Sequence, residues 1–220
     1  MNYTLAIFDM DGTVLNTIRD IANAVNITVA KYGYKPYTET EVLQFVGKGL
    51  KMTLSQALDS RSISISEDTF NQMYTDFITY YAEHSNDSTA PYTGIIDAMK
   101  ELKQHGIKLA LVSNKRHAQV QELCNLYFPG LFEVSFGEDE EHGICKKPAP
   151  DSVNAVLKTI GVLAKDAVYI GDSEIDIQTA TNAKMDCIAV TWGFRSRAFQ
   201  AQQGAKVFAE KPSDLVSLIL

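Results

Sequence analysis

Residues Leu5-Ala6-Ile7-Phe8 run directly into Asp9-Met10-Asp11-Gly12-Thr13. An unbroken apolar run of strand length lacks the alternation of a half-exposed strand, so both of its faces must be covered. It ends in two carboxylates two residues apart, a pair costly to hold beside a core without a cation. The glycine lets the backbone turn sharply, and the Gly12 and Thr13 amides offer donors to an anion. The segment reads as a buried strand opening onto a site for a divalent metal and a phosphate-like group.

Further short apolar runs repeat the pattern: Lys108–Val112, Val134–Phe136, Ala167–Ile170, Cys187–Val190 and, more weakly, Val207–Phe208. Helical periodicity separates them, over Gly94–His105, Ala118–Leu126, Asp151–Ile160 and Ile175–Ala183. Strands alternating with helices predict an α/β fold, a Rossmann-like doubly wound parallel sheet with helices on both faces.

One stretch breaks the alternation. From Ile18 to Pro91 the periodicity is helical, over Asp20–Lys31, Glu39–Val46, Leu50–Leu58 and Glu67–His84, with loops at Gly47-Lys48-Gly49 and Arg61–Ser66. The expected organisation is a catalytic core of residues 1–17 and 91–220 with a helical cap, 18–90, inserted after the first strand. Ala90–Gly94 reads as the return hinge.

Ligands in such sheets bind beyond the carboxyl ends of the strands. The strand ends carry Asp9 and Asp11, then Ser113-Asn114-Lys115, then Gly171-Asp172-Ser173-Glu174-Ile175-Asp176, with Lys147-Pro148 preceding the strand that ends at Ile170. Carboxylates at Asp9, Asp11 and Asp172 are hard oxygen ligands suited to Mg²⁺. A carboxylate can attack phosphorus, and a second one can give and take the proton. Ser113 and Asn114 can hold phosphoryl oxygens, and Lys147 can neutralise charge developing in transfer.

The formal charge of −7 argues against nucleic acid or an anionic membrane as partner without excluding small anionic substrates, and with the phosphate chemistry of the strand ends a small phosphorylated metabolite is the expected partner. Three widely spaced cysteines, Cys124, Cys145 and Cys187, fit reduced thiols, and no apolar run has membrane-spanning length, so a cytoplasmic monomer or homodimer is expected.

These four strand-end motifs in this order resemble the haloacid dehalogenase superfamily of aspartate-nucleophile phosphohydrolases. The resemblance implies that Asp9 is nucleophile and metal ligand. Asp11 is general acid/base and binds metal through its backbone carbonyl. Ser113 and Lys147 bind the phosphoryl group, Asp172 is the third protein ligand to Mg²⁺, and Asp176 stands behind the ligands. Thr13 and Asn114 orient and hydrogen-bond in the site. The helical insertion matches the family's four-helix cap, which excludes water and reads the leaving group.

Ser113-Asn114-Lys115, Gly47-Lys48-Gly49 and Thr191-Trp192-Gly193-Phe194 look most like the phosphoglycolate phosphatases, whereas Asn16 departs from relatives that carry aspartate there. Lys48 and Arg195 are candidates for leaving-group contacts. Alternatives on the same fold are a sugar-phosphate mutase, a pyrophosphatase and a 5′-nucleotidase. Off the enzyme class stand a phosphoryl-accepting signalling module and a catalytically silent interaction protein.

Overall fold

The computed structural model describes residues 3–220. The chain divides into two compact units, Asn16–Ala90 and the segment up to Leu15 together with Pro91–Leu220.

The larger unit is built on a six-stranded parallel sheet: β1 (Leu5–Phe8), β4 (Lys108–Arg116), β5 (Val134–Glu138), β6 (Ala167–Gly171), β7 (Asp186–Val190) and β8 (Val207–Ala209). The strand order is β5-β4-β1-β6-β7-β8, so the first strand is central, and Phe8 pairs with Leu111 on one side and Ile170 on the other.

Side-chain alternation splits each buried strand between two cores. Ala6, Phe8, Leu109, Leu111, Val168 and Ile170 face Ile95, Met99 and Leu102 of α5 (Ile95–Gln104), Val120 and Leu123 of α6 (His117–Tyr127), and Leu215 and Ile219 of α10 (Asp214–Ile219). Leu5, Ile7, Ala110, Val112 and Tyr169 face Val153 and Val156 of α7 (Asp151–Ile160) and Ala180 of α8 (Glu174–Asn182). Both faces are therefore covered, as the unbroken apolar runs require, and the strands must meet their polar partners at their ends.

The smaller unit holds α1 (Ile18–Lys31), α2 (Glu39–Val42), α3 (Leu50–Ser60) and α4 (Glu67–His84). A reciprocal Thr38/Glu41 capping pair starts α2, with Glu41 N–H donating to Thr38 Oγ1 at 3.2 Å and Thr38 N–H to Glu41 Oε2 at 2.7 Å. Val25 and Val29, Leu54 and Leu58, and Met73, Phe77 and Tyr81 are buried. At the base of this unit the buried Asp20 carboxylate accepts from Ser88 N–H, Thr89 N–H and the Thr89 hydroxyl, all within 3.0 Å.

Three local expectations change. Leu15–Asn16 (β2) and Ala90–Pro91 (β3) pair as a two-stranded ribbon where a plain hinge was expected. The second strand of the core runs on past Val112 to Arg116, with a register irregularity between those two residues. Arg197–Gln202 (α9) and α10 were not expected; at six residues each they carry too little periodicity to be read and depend on packing. Among the described residues no helix is long and apolar enough to cross a membrane.

Candidate active site

The central strand delivers Asp9 to the carboxyl edge of the sheet, where its N–H donates to Ile170 O at 2.9 Å. Around it the fold brings Lys147, Tyr169 and Asp176. The Lys147 ammonium lies 2.6 Å from Asp9 Oδ1, 2.7 Å from Asp176 Oδ1 and 3.1 Å from the Tyr169 hydroxyl. An ammonium has three N–H groups, and these three acceptors match them. Burial alone would lower the lysine's pKa, but the Asp176 and Asp9 charges outweigh it and hold it well above the ordinary value.

Asp176 takes four donors. Its Oδ1 accepts from Lys147 and from the Tyr169 hydroxyl (3.1 Å); its Oδ2 accepts from Ser173 N–H (3.1 Å) and the Ser173 hydroxyl (2.6 Å). Ser173 is the N-cap of α8, and Asp176 at the third helical position holds its amide as the acidic half of a capping box. Gly171 is required here by proximity: a Cβ on it would sit 2.3 Å from Asp176 Cβ.

Asp172 is buried beside this frame. Thr13 Oγ1 lies 3.3 Å from its Oδ1, and the backbone N–H of Phe194 donates to its Oδ2 at 2.6 Å. The Phe194 amide arrives on the segment Thr191–Arg195, which is fastened on both sides. Trp192 Nε1–H donates to Thr13 O at 3.0 Å, and the buried Gln200 amide donates to Asp172 O (2.7 Å), Val190 O (2.8 Å) and Arg195 O (3.1 Å). A Cβ on Gly193 would lie 2.3 Å from Asp172 Cβ, and one on Gly12 2.4 Å from Asp172 Oδ2; Gly12 also has φ +84°. Neither close approach tolerates a side chain.

Carboxylate oxygens of Asp9, Asp172 and Asp176 all fall within 4.8 Å of one another. Burial first, then the Asp176 charge, raises Asp9 well above the usual carboxylate range despite Lys147. The same two causes, in the same order, push Asp172 up to about 7. The cluster is short of positive charge, and its donors are hard oxygens, so a divalent cation fits it. Asp9 and Asp172 have carboxylate oxygens that could hold one. Asp176, with two donors on each oxygen, serves the lysine instead.

The remaining expected residues divide. Asp11 is part-exposed, and its Oδ1 lies 3.2 Å from the Lys115 ammonium. Ser113 is buried, and its Oγ accepts Lys115 N–H at 3.2 Å, which leaves the hydroxyl hydrogen to donate. Asn114 was expected on phosphoryl oxygens; its amide instead brackets the Lys147 backbone, donating to Lys147 O at 3.2 Å and accepting Lys147 N–H at 2.6 Å. The Gly12 and Thr13 amides, expected to face an anion, donate inside the turn to Leu15 O and Met10 O. Thr13 is turned to Asp172. Arg195 pairs with Glu174 at 3.1 Å. Lys48 is exposed in the helical unit.

The site residues that sequence reasoning missed are Tyr169, Gln200 and the Phe194 amide. Tyr169 sits inside an apolar strand and reads as core; its hydroxyl gives no signal until Lys147 is placed beside it.

Residues 6–190 match the haloacid dehalogenase-like hydrolase family. The chain belongs to that family. It is 32% identical to the phosphoglycolate phosphatase of Psychrobacter arcticus, over 88% of this chain and 86% of that protein. It is 26% identical to the pyrophosphatase PpaX of Bacillus cereus, over 100% and 97%. A solved structure from Lactobacillus delbrueckii subsp. bulgaricus, whose phosphoglycolate phosphatase name is itself provisional, shares 40% identity with a TM-score of 0.95, covering 100% of this chain and 99% of that one. This haloacid dehalogenase-like hydrolase is therefore an enzyme whose relatives are named for phosphate chemistry.

Proposed function

We propose that the chain is a phosphomonoester hydrolase that acts on 2-phosphoglycolate through a phosphoryl group carried on Asp9. The observation behind this reading is the Lys147 ammonium 2.6 Å from Asp9 Oδ1. One oxygen of a buried carboxylate is fixed by a cation, and the other is left to attack.

In this reading Asp9 attacks phosphorus while the bond to the leaving oxygen breaks, and Asp11 gives that oxygen its proton. Asp11 then takes a proton from the water that attacks phosphorus. The bond between Asp9 and phosphorus breaks, inorganic phosphate leaves and the carboxylate is restored. Lys147 offsets charge at the nucleophile and on the phosphoryl oxygens, and Ser113 donates its hydroxyl hydrogen to one of them. Asn114 holds the Lys147 backbone in place. The Phe194 amide and the Thr13 hydroxyl orient Asp172.

Mg²⁺ is the cation proposed for Asp9, Asp172 and the Asp11 carbonyl; when bound it draws negative charge from the phosphoryl oxygens. The helical unit, in this proposal, carries the family's cap role of reading the leaving group.

The test is phosphate release with Mg²⁺ from a panel of 2-phosphoglycolate, pyrophosphate, nucleoside monophosphates and sugar phosphates. The reading expects 2-phosphoglycolate among the highest kcat/KM values. Full-length similarity to PpaX makes pyrophosphate the second reading, and a clear preference for it would replace the first. Isomerised sugar phosphate without free phosphate would contradict both.

A further inference from the structure

Two buried lysines serve the Asp9/Asp11 pair, one to each carboxylate. Lys147 is pinned by Asp9, Asp176 and Tyr169, so its three N–H groups are matched. Lys115 stands on the other acid, its ammonium 3.2 Å from Asp11 Oδ1 and its side chain 7% exposed. Taking an ammonium out of water beside a part-exposed carboxylate is costly, and an apolar residue at the end of a strand would serve packing as well. The placement calls for another explanation.

If Asp11 protonates the leaving oxygen, as the reading above has it, the leaving group lies against Asp11. A cation bonded to Asp11 then stands on the leaving-group side, while Lys147 stands on the nucleophile side. A negative charge carried by the leaving group would enter a site already holding Asp9, Asp172 and Asp176. Burying it without a cation there is costly. Lys115 has the charge, and its four-carbon stem has the freedom to move from one carboxylate to another. Arg195 is engaged by Glu174 at 3.1 Å, and its charge acts on Asp172.

We propose that Lys115 is a specificity residue that selects substrates with an anionic leaving group, its ammonium passing from Asp11 to a carboxylate on the substrate. This inference rests on the assignment of Asp11 as the acid, and it names the class of substrate rather than one compound.

The experiment measures kcat/KM of the full-length chain with Mg²⁺ on two matched pairs: 2-phosphoglycolate against its amide, and 3-phosphoglycerate against glycerol 3-phosphate. Wild type, Lys115→Met and Lys115→Arg are compared. The preference within a pair is a ratio measured on one protein sample, so partial unfolding of a variant cancels. Wild type is expected to prefer the acid in at least one pair by about 10- to 100-fold, the size of effect expected when a partner for a charged group is present or absent. Lys115→Met is expected to bring that ratio to within about 3-fold of unity, and Lys115→Arg to keep most of it.

A ratio unchanged in Lys115→Met, or no preference in wild type for either acid, overturns the inference. If 2-phosphoglycolate is a good substrate and the ratio survives in Lys115→Met, the phosphatase reading stands and the inference falls. If the preference exists in the phosphoglycerate pair alone and Lys115→Met abolishes it, the inference stands and the 2-phosphoglycolate reading falls.

Discussion

The Lys147 ammonium lies 2.6 Å from Asp9 Oδ1 across 138 residues of sequence. The contact joins the end of the central strand to a loop held by Asn114, and both partners are almost wholly buried. Replacing the lysine by methionine keeps the stem and removes the charge. Lys147→Met is expected to lower kcat by about 10²- to 10³-fold, the usual effect of losing a positioned charge at a reacting centre. Phosphate-release kinetics check this, with circular dichroism to confirm that the variant is folded.

Tyr169 gives a finer test of the same frame. Its hydroxyl accepts from Lys147 and donates to Asp176, so Tyr169→Phe keeps the ring packed and frees the ammonium to tilt. The expected outcome is a fall in kcat of about 10-fold with KM within about 3-fold of wild type, because the frame acts on the reacting carboxylate rather than on substrate affinity. A rise in KM with kcat intact would show that Tyr169 does not work through Lys147.

Gly193 packs against Asp172 too closely for any side chain. Gly193→Ala is expected to cost about 1–3 kcal/mol, the range for overfilling a packed site. It should also weaken binding of the divalent cation by displacing the Phe194 amide from Asp172. Urea unfolding and a Mg²⁺ titration of activity measure the two effects, and an unchanged Mg²⁺ dependence would remove the proposed role of that segment.

The acid cluster makes stability depend on pH in a definite direction. Burial and the Asp176 charge raise Asp172 to about 7 in the folded, metal-free protein, against about 3.9 in an unfolded chain. Between those values the folded state holds the proton and the unfolded state does not, so stability falls as pH rises through that window. With EDTA present, Tm should therefore fall from pH 5 to pH 7.5, and less so in Asp172→Asn. Mg²⁺ should raise Tm more at pH 7.5 than at pH 5.5, because protons compete for the same oxygens. An equal Mg²⁺ shift at both pH values would contradict this account.

Much of this architecture is legible in the sequence because buried parallel strands are apolar throughout, so their polar ends stand out. Asp9, Ser113 and Asp172 stand out in that way, and the fold buries all three. Lys147 taken alone reads as an exposed loop lysine and gains meaning only together with the strand-end acids, beside which the fold buries it. What stayed hidden follows from the physics of the individual groups. Tyr169 looks like a strand aromatic, and its role lies in one oxygen. The Phe194 amide that holds Asp172 is backbone, which any residue would supply. Asn114 and the Gly12 and Thr13 amides have the right chemistry for an anion, but the fold uses them inside the scaffold. The two-residue strands at Leu15–Asn16 and Ala90–Pro91 are too short to carry a pattern.

The central claim is that Asp9 carries the phosphoryl group, and a trapped intermediate tests it most directly. Asp11→Asn should still be phosphorylated by p-nitrophenyl phosphate, whose leaving group needs no proton, but should hydrolyse the intermediate slowly. Acid quenching followed by peptide mass spectrometry should then show one phosphoryl group on the peptide containing Asp9, and none in Asp9→Asn. A phosphoryl group on any other residue, or sustained turnover by Asp9→Asn, would contradict the account.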